Sequence, residues 1–110
     1  MRDIPDSLLV EIKKYCIKNK NQESCGIIHQ GLQGLHFLGC RNLSSYPRES
    51  FILEPNLIVD YDVKYVVHSH IIGSSKPSSC DTSSSNELCI PFLIYSLIDD
   101  DFYLYENISV

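Results

Sequence analysis

The residues of this 110-residue chain best suited to chemistry gather at the end of one apolar run, where Lys64-Tyr65-Val66-Val67 leads into His68-Ser69-His70. β-Branched and aromatic residues favour a strand there. Alternate residues of a strand face the same side, ~6.5 Å apart along the chain, so His68 and His70 can offer their imidazoles to one metal ion. Zinc takes imidazole nitrogen and carboxylate oxygen in a tetrahedral array, and a catalytic zinc keeps three protein ligands with one position open. Asp81 follows His70 by eleven residues, after a loop and at the expected start of a helix, from which its carboxylate can fold back toward the strand end. His68, His70 and Asp81 are therefore the expected zinc ligands.

Zinc-activated water still needs a group to take its proton and pass it to a leaving group. Glu23, in Gln22-Glu23-Ser24-Cys25-Gly26, sits between the first expected helix and the first expected strand, where an acid can point across a cleft. It is the expected general acid/base. Ser78, three residues before Asp81, carries a hydroxyl that can donate to a developing oxyanion.

The elements that must position these residues follow from periodicity. Residues 5–19 read as a helix opened by Pro5, with Ile4, Leu8, Leu9, Ile12, Tyr15 and Cys16 forming one apolar stripe. Cys25–Ile28 and Leu35–Cys40 read as strands of a hairpin, with Gly31 and Gly34 supplying positive φ. Residues 41–49 read as a loop, 51–53 as a short strand, 56–61 as one or two helical turns, and 64–69 as the central strand. Residues 74–86 hold seven serines in thirteen positions, a composition that alone suggests a flexible linker. A helix through Cys89, capped by Asp81 or Thr82, gives that stretch a structural role. Residues 92–97 and 102–105 read as two last strands joined by the acidic turn 99–101. The expected fold class is α/β, a mixed sheet flanked by helices in a single 1–110 domain.

His68-x-His70, seven residues, Ser78, two residues, Asp81 is the spacing of the JAMM motif of MPN-type metallopeptidases, and Glu23-x-Cys25-Gly26 resembles that family's glutamate segment. Cys40-Arg41-Asn42 and Phe51-x-x-x-Pro55 resemble the branch found in tail-assembly proteins of long-tailed bacteriophages. The resemblance runs from Pro5 to Tyr105. It implies a curved sheet between helices, akin to the cytidine-deaminase architecture, and zinc-dependent hydrolysis of peptide or isopeptide bonds. It assigns zinc to His68, His70 and Asp81, acid/base catalysis to Glu23, and support of the tetrahedral intermediate to Ser78. It also implies that the serine-rich stretch is ordered. One departure is Ile71, where phage-like members usually carry Pro; it removes no ligand. Phage tail proteins and an NlpC-type peptidase are the partners the branch suggests, and no second domain of that type is expected within these residues.

Composition excludes several other classes. A net charge of −5, with Lys13, Lys14, Lys18 and Lys20 as the sole basic cluster, argues against nucleic acid. Those lysines fit the solvated face of the first helix. Five cysteines, an odd number without Cys-x-x-Cys, argue against a disulfide framework and fit reduced thiols that mostly fill core space. His29 and His36 read as sheet or surface positions. The start Met1-Arg2-Asp3-Ile4-Pro5-Asp6 does not resemble a signal peptide, and no apolar run reaches the ~18 residues of a membrane span. A cytoplasmic protein is expected, in the host cytoplasm or the virion tail if phage-encoded. Peptide or peptidoglycan-stem substrates rank above a ubiquitin-like carrier, because no insertion is long enough to clamp one. A zinc-stabilised scaffold without catalysis is the rival from another class.

Overall fold

The computed structural model describes residues 3–106; Met1, Arg2 and positions 107–110, the ends of the expected 1–110 domain, lie outside the described residues. Helix α1 (Asp6–Lys18) buries Leu8, Ile12 and Cys16, one residue per turn on one face. Pro5 stands just before it as N-cap, and Asp6 and Lys18 place opposite charges where the helix dipole favours them. Strands β1 (Cys25–Gly31) and β2 (Gly34–Cys40) form an antiparallel hairpin around Leu32-Gln33. Of the two glycines that flank the turn only Gly34 has positive φ, +129°. At Gly31 a Cβ would lie 2.6 Å from the ring of His36, an exposed side chain that would have to turn aside.

After the short helix α2 (Asn56–Asp60) comes β3 (Val63–His70), then α3 (Ser79–Leu88), β4 (Phe92–Ser96) and β5 (Asp101–Tyr105). The five strands form one mixed sheet in the order β2-β1-β3-β4-β5. β3 is central, as its sequence suggests. It pairs antiparallel with β1 and parallel with β4, and α3 carries the chain across between the two parallel strands. Both are buried over most of their length, the pattern of strands covered on two faces.

The two faces have separate cores. On one, Leu8, Ile12 and Cys16 of α1 meet Ile28, Tyr65, Val67, Leu93 and Tyr95. Tyr15 packs edge-to-face on Phe37 of β2, with centroids 5.4 Å apart, and its hydroxyl donates to Cys40 O at 3.2 Å. On the other face Val66, Phe92 and Ile94 are covered by Phe51, Leu53, Ile90 and Tyr105. His68 and His70 follow Val66 at steps of two and so share this second face.

Three local expectations need correction. Residues 51–53 form no strand: the Ile52 amide donates to Asn42 Oδ1 and its carbonyl accepts from Leu43, so the segment pairs within its own loop rather than with the sheet. Helix α3 starts before Asp81, with Ser78 as its N-cap. Of the five free cysteines, Cys16 and Cys25 are buried, but Cys80 and Cys89 are exposed and fill no core. The serine-rich stretch is ordered as the helix start. No helix among the described residues is long and apolar enough to cross a membrane.

Candidate metal centre

The site forms where β3 ends beside the start of β1. Cys25 is paired with His68. Continuing that antiparallel register by two residues sets Glu23 opposite His70, and the period of two keeps both on the face of His68. Reciprocal bonds lock the register: Ser69 N donates to Ser24 O at 2.9 Å, and Ser24 N donates to Ser69 Oγ at 2.8 Å. Asp81 arrives from α3. A capping box fixes it, in which Asp81 N donates to Ser78 Oγ at 3.1 Å and Ser78 N donates to Asp81 Oδ2 at 2.9 Å. Its helix role is thus the third position of the capping box and not the cap itself, and capping leaves the carboxylate aimed at the strand end.

His68, His70 and Asp81 each offer one ligand atom, all within 4.8 Å of one another. His68 Nε2 lies 3.1 Å from Asp81 Oδ1, and His70 Nε2 lies 3.1 Å from Asp81 Oδ2. His70 Nδ1 sits 2.8 Å from Ser74 O. A carbonyl only accepts, so Nδ1 carries the proton and the lone pair of a neutral His70 is on Nε2, facing a carboxylate oxygen. His68 Nε2 is close to Oδ1 but makes no hydrogen bond with it. Each imidazole nitrogen facing the carboxylate needs a hydrogen or a metal ion between the two: a ring N–H that donates to the oxygen, or a bound cation. The donor set, two nitrogens and one oxygen with a cavity beside them, fits a zinc site of the open kind.

The electrostatics agree. The hydrogen bond to Asp81 raises the pKa of His70, whereas burial lowers that of His68. Burial alone would raise Asp81, but its contacts with His68 and His70 outweigh that and hold it well below the usual carboxylate range.

Glu23, 9% exposed, lines a cavity of about 630 Å³ together with His70, Ser78 and Asp81. Burial pushes its carboxyl up to about 7, with His70 pulling it down and Asp81 up. Such a value suits a group that both takes and gives a proton near neutrality. The Ser78 hydroxyl accepts from Asp81 N through a lone pair, which leaves its own proton free to donate. All five residues singled out from the sequence therefore meet at one end of β3. Cys16 and Cys25 are pushed by burial to about 11 and about 12, so they stay protonated and are poor ligands or nucleophiles.

Two contributors, Asn42 and Phe51, stand in the sequence as positions of the family resemblance, with no functional role assigned to either. Asn42 Nδ2 donates to Glu23 O at 3.0 Å and Ser50 O at 2.9 Å, while its Oδ1 accepts from Ser44 N and Ile52 N. It ties the loop 42–52 to the backbone of Glu23, which is also held by Pro47 O at 2.7 Å. Phe51, carried by that loop, stacks on His68.

No protein-family model matches the chain. It is similar to the tail tip assembly protein K of Escherichia phage N15, 32% identical over 87 residues, which cover 73% of this chain and 35% of that protein. The chain thus spans about a third of the length of the curated relative it matches, and the similarity supports a relationship to phage tail-assembly proteins.

Proposed function

We propose that the chain is a zinc metallopeptidase domain of the JAMM (MPN) type, with the cytidine-deaminase-like fold of that family, acting on peptide or isopeptide bonds in phage tail assembly or on peptidoglycan stems. The observation that carries the reading is the convergence of His68 and His70 on the carboxylate of Asp81, with Glu23 lining the same cavity. These three residues would hold the zinc, which would supply Lewis-acid activation at neutral pH. Glu23 takes the proton of the attacking water as the new C–O bond forms, and hands it to the amine nitrogen as the C–N bond then breaks. The Ser78 hydroxyl donates to the oxygen on which negative charge develops.

Elemental mass spectrometry of zinc on wild type and His70→Ala, purified without added metal, tests the site. About one zinc per chain in wild type and a sharp loss in the variant support it. No zinc in either, with folded protein and failed remetallation, sinks the enzyme reading.

The name of the relative favours a second reading, because it speaks of assembly and not of cleavage. In that reading zinc stabilises a scaffold. Zinc-loaded protein that binds tail proteins or peptides but cleaves none over long incubation decides for it.

A further inference from the structure

His68 is fully buried, and among the described residues neither of its ring nitrogens has a hydrogen-bond partner. Histidines that ligate zinc ordinarily donate their second ring N–H to a carboxylate, carbonyl or water, which fixes the tautomer and the ring orientation. His70 follows that rule through Ser74 O. His68 is held by aromatic rings instead. Phe51 lies face-on to it, with centroids 4.3 Å apart and planes 23° from parallel. Phe92 meets it edge-on at 5.6 Å and 78°.

The two phenylalanines differ in kind. Phe92 is a buried residue of β4 that packs the second core, so its position follows from the sheet. Phe51 is half-buried on a segment without helix or strand, and its place depends on the loop 42–52. Asn42 holds that loop through the carbonyls of Glu23 and Ser50 and the amides of Ser44 and Ile52. With no hydrogen bond at Nδ1, the χ2 of this buried imidazole is set by the walls around it.

We propose that Phe51 is a positioning residue for the metal ligand His68: its stacked ring fixes the imidazole so that Nε2 points to Asp81, as the hydrogen bond from Nδ1 does for His70. The loop 42–52 then couples metal retention to the wall of the cavity, since the segment that lines the cavity also orients a ligand. The inference rests on the zinc reading above.

The test is the affinity for Zn²⁺ by chelator competition and the visible absorption of the Co²⁺-loaded protein, with no activity assay needed. The proteins are wild type, Phe51→Ala, Phe51→Leu, Phe51→Tyr, Ile52→Ala and His70→Ala. Loss of an outer partner of a zinc ligand weakens affinity roughly 10–100-fold, and that loss is expected for Phe51→Ala and for Phe51→Leu, which keeps apolar bulk but no flat ring. Both should also shift the Co²⁺ bands. Phe51→Tyr, which keeps the ring, and Ile52→Ala, a half-exposed neighbour on the same loop, should stay within about twofold of wild type. If Phe51→Ala fails to fold, Phe51→Leu against Phe51→Tyr carries the comparison. Equal affinity in Leu, Tyr and wild type overturns the proposal, as does an equal loss in Tyr and Leu. A wild type that binds neither metal, like His70→Ala, overturns the zinc reading and this inference with it, whereas a wild type that binds and is indifferent to Phe51 overturns this inference alone.

Discussion

Ser78 and Asp81 hold each other: each donates its backbone N–H to the other's side chain, at 2.9 and 3.1 Å. The pair starts helix α3 and at the same time aims a carboxylate at two histidines, so one local motif serves folding and the site together. Ser78→Ala should cost about 1 kcal/mol of stability, the usual value of a lost N-cap, and lower the melting temperature by a few degrees. Ser78→Thr, which keeps cap and hydroxyl, should recover most of it. If the hydroxyl also serves as an oxyanion donor, turnover in Ser78→Ala should fall by roughly 10²–10³, with Thr again close to wild type. Thermal unfolding and peptide cleavage on the three proteins separate the roles, and unchanged turnover in the Ala variant removes Ser78 from the chemistry.

Asp81→Asn tests the charge at the centre of the cluster. The change keeps an oxygen that can accept from Ser78 N, so the helix should persist. It removes the anion on which His68 and His70 converge. Zinc content should fall to near zero. In the metal-free protein the pKa of His70 should drop, because the hydrogen bond to Asp81 is the largest cause of its rise. Proton NMR of the histidine ring protons follows that shift. Full zinc retention in the variant would mean that Asp81 is a capping residue only.

Much of this arrangement was legible in the sequence, and the reason is periodicity. Two residues apart on a strand means one face, so His68 and His70 had to share a side once 64–69 read as a strand. Glu23 was found by other means: its place at the junction of the first helix and first strand, and the resemblance of Glu23-x-Cys25-Gly26 to the family's glutamate segment. The start of α3 was harder, because Ser78, Ser79, Asp81 and Thr82 are all capable caps and only geometry chooses among them. Phe51-Ile52-Leu53 looks like a strand because it is apolar and bulky, yet a strand needs a neighbour with free backbone groups, and here Asn42 and Leu43 take up those of Ile52. The role of Asn42 was illegible for a related reason: it depends on carbonyls and amides at positions 23, 44, 50 and 52, which no local pattern announces.

Gly26 follows Cys25 in the strand that positions Glu23, and it has no room for a side chain. A Cβ there would come 2.4 Å from Leu38 O and 2.9 Å from the Phe37 ring. The first neighbour is backbone of the paired strand β2 and cannot rotate away. Gly26→Ala should therefore destabilise by about 1–3 kcal/mol, the usual cost of overpacking, and should lower zinc affinity by disturbing the end of β1. Chemical denaturation measures the first effect; a variant as stable as wild type would mean that β1 and β2 are less closely paired than found here.

Glu23 gives a prediction about pH that needs no substrate. Its carboxyl is raised by burial from 4.5 to about 7. A raised carboxyl binds its proton more tightly in the folded state. The stability it contributes is fully present below about 4.5 and is lost as pH rises through about 7, because above that the fold must keep a buried anion. Metal-free wild type should thus lose stability between pH 5 and 8 by an amount that Glu23→Gln, which has no charge to bury, does not lose. The shift corresponds to at most ~3 kcal/mol, less where water reaches the carboxylate. The difference in unfolding free energy between variant and wild type should grow in the variant's favour across that window. Under the proposed mechanism the same variant retains zinc and loses turnover by roughly 10²–10⁴. More stable at pH 8 and inactive with zinc bound is the signature of a residue kept for its proton chemistry at a cost to the fold. A variant that is no more stable and remains fully active would remove Glu23 from the proton chemistry.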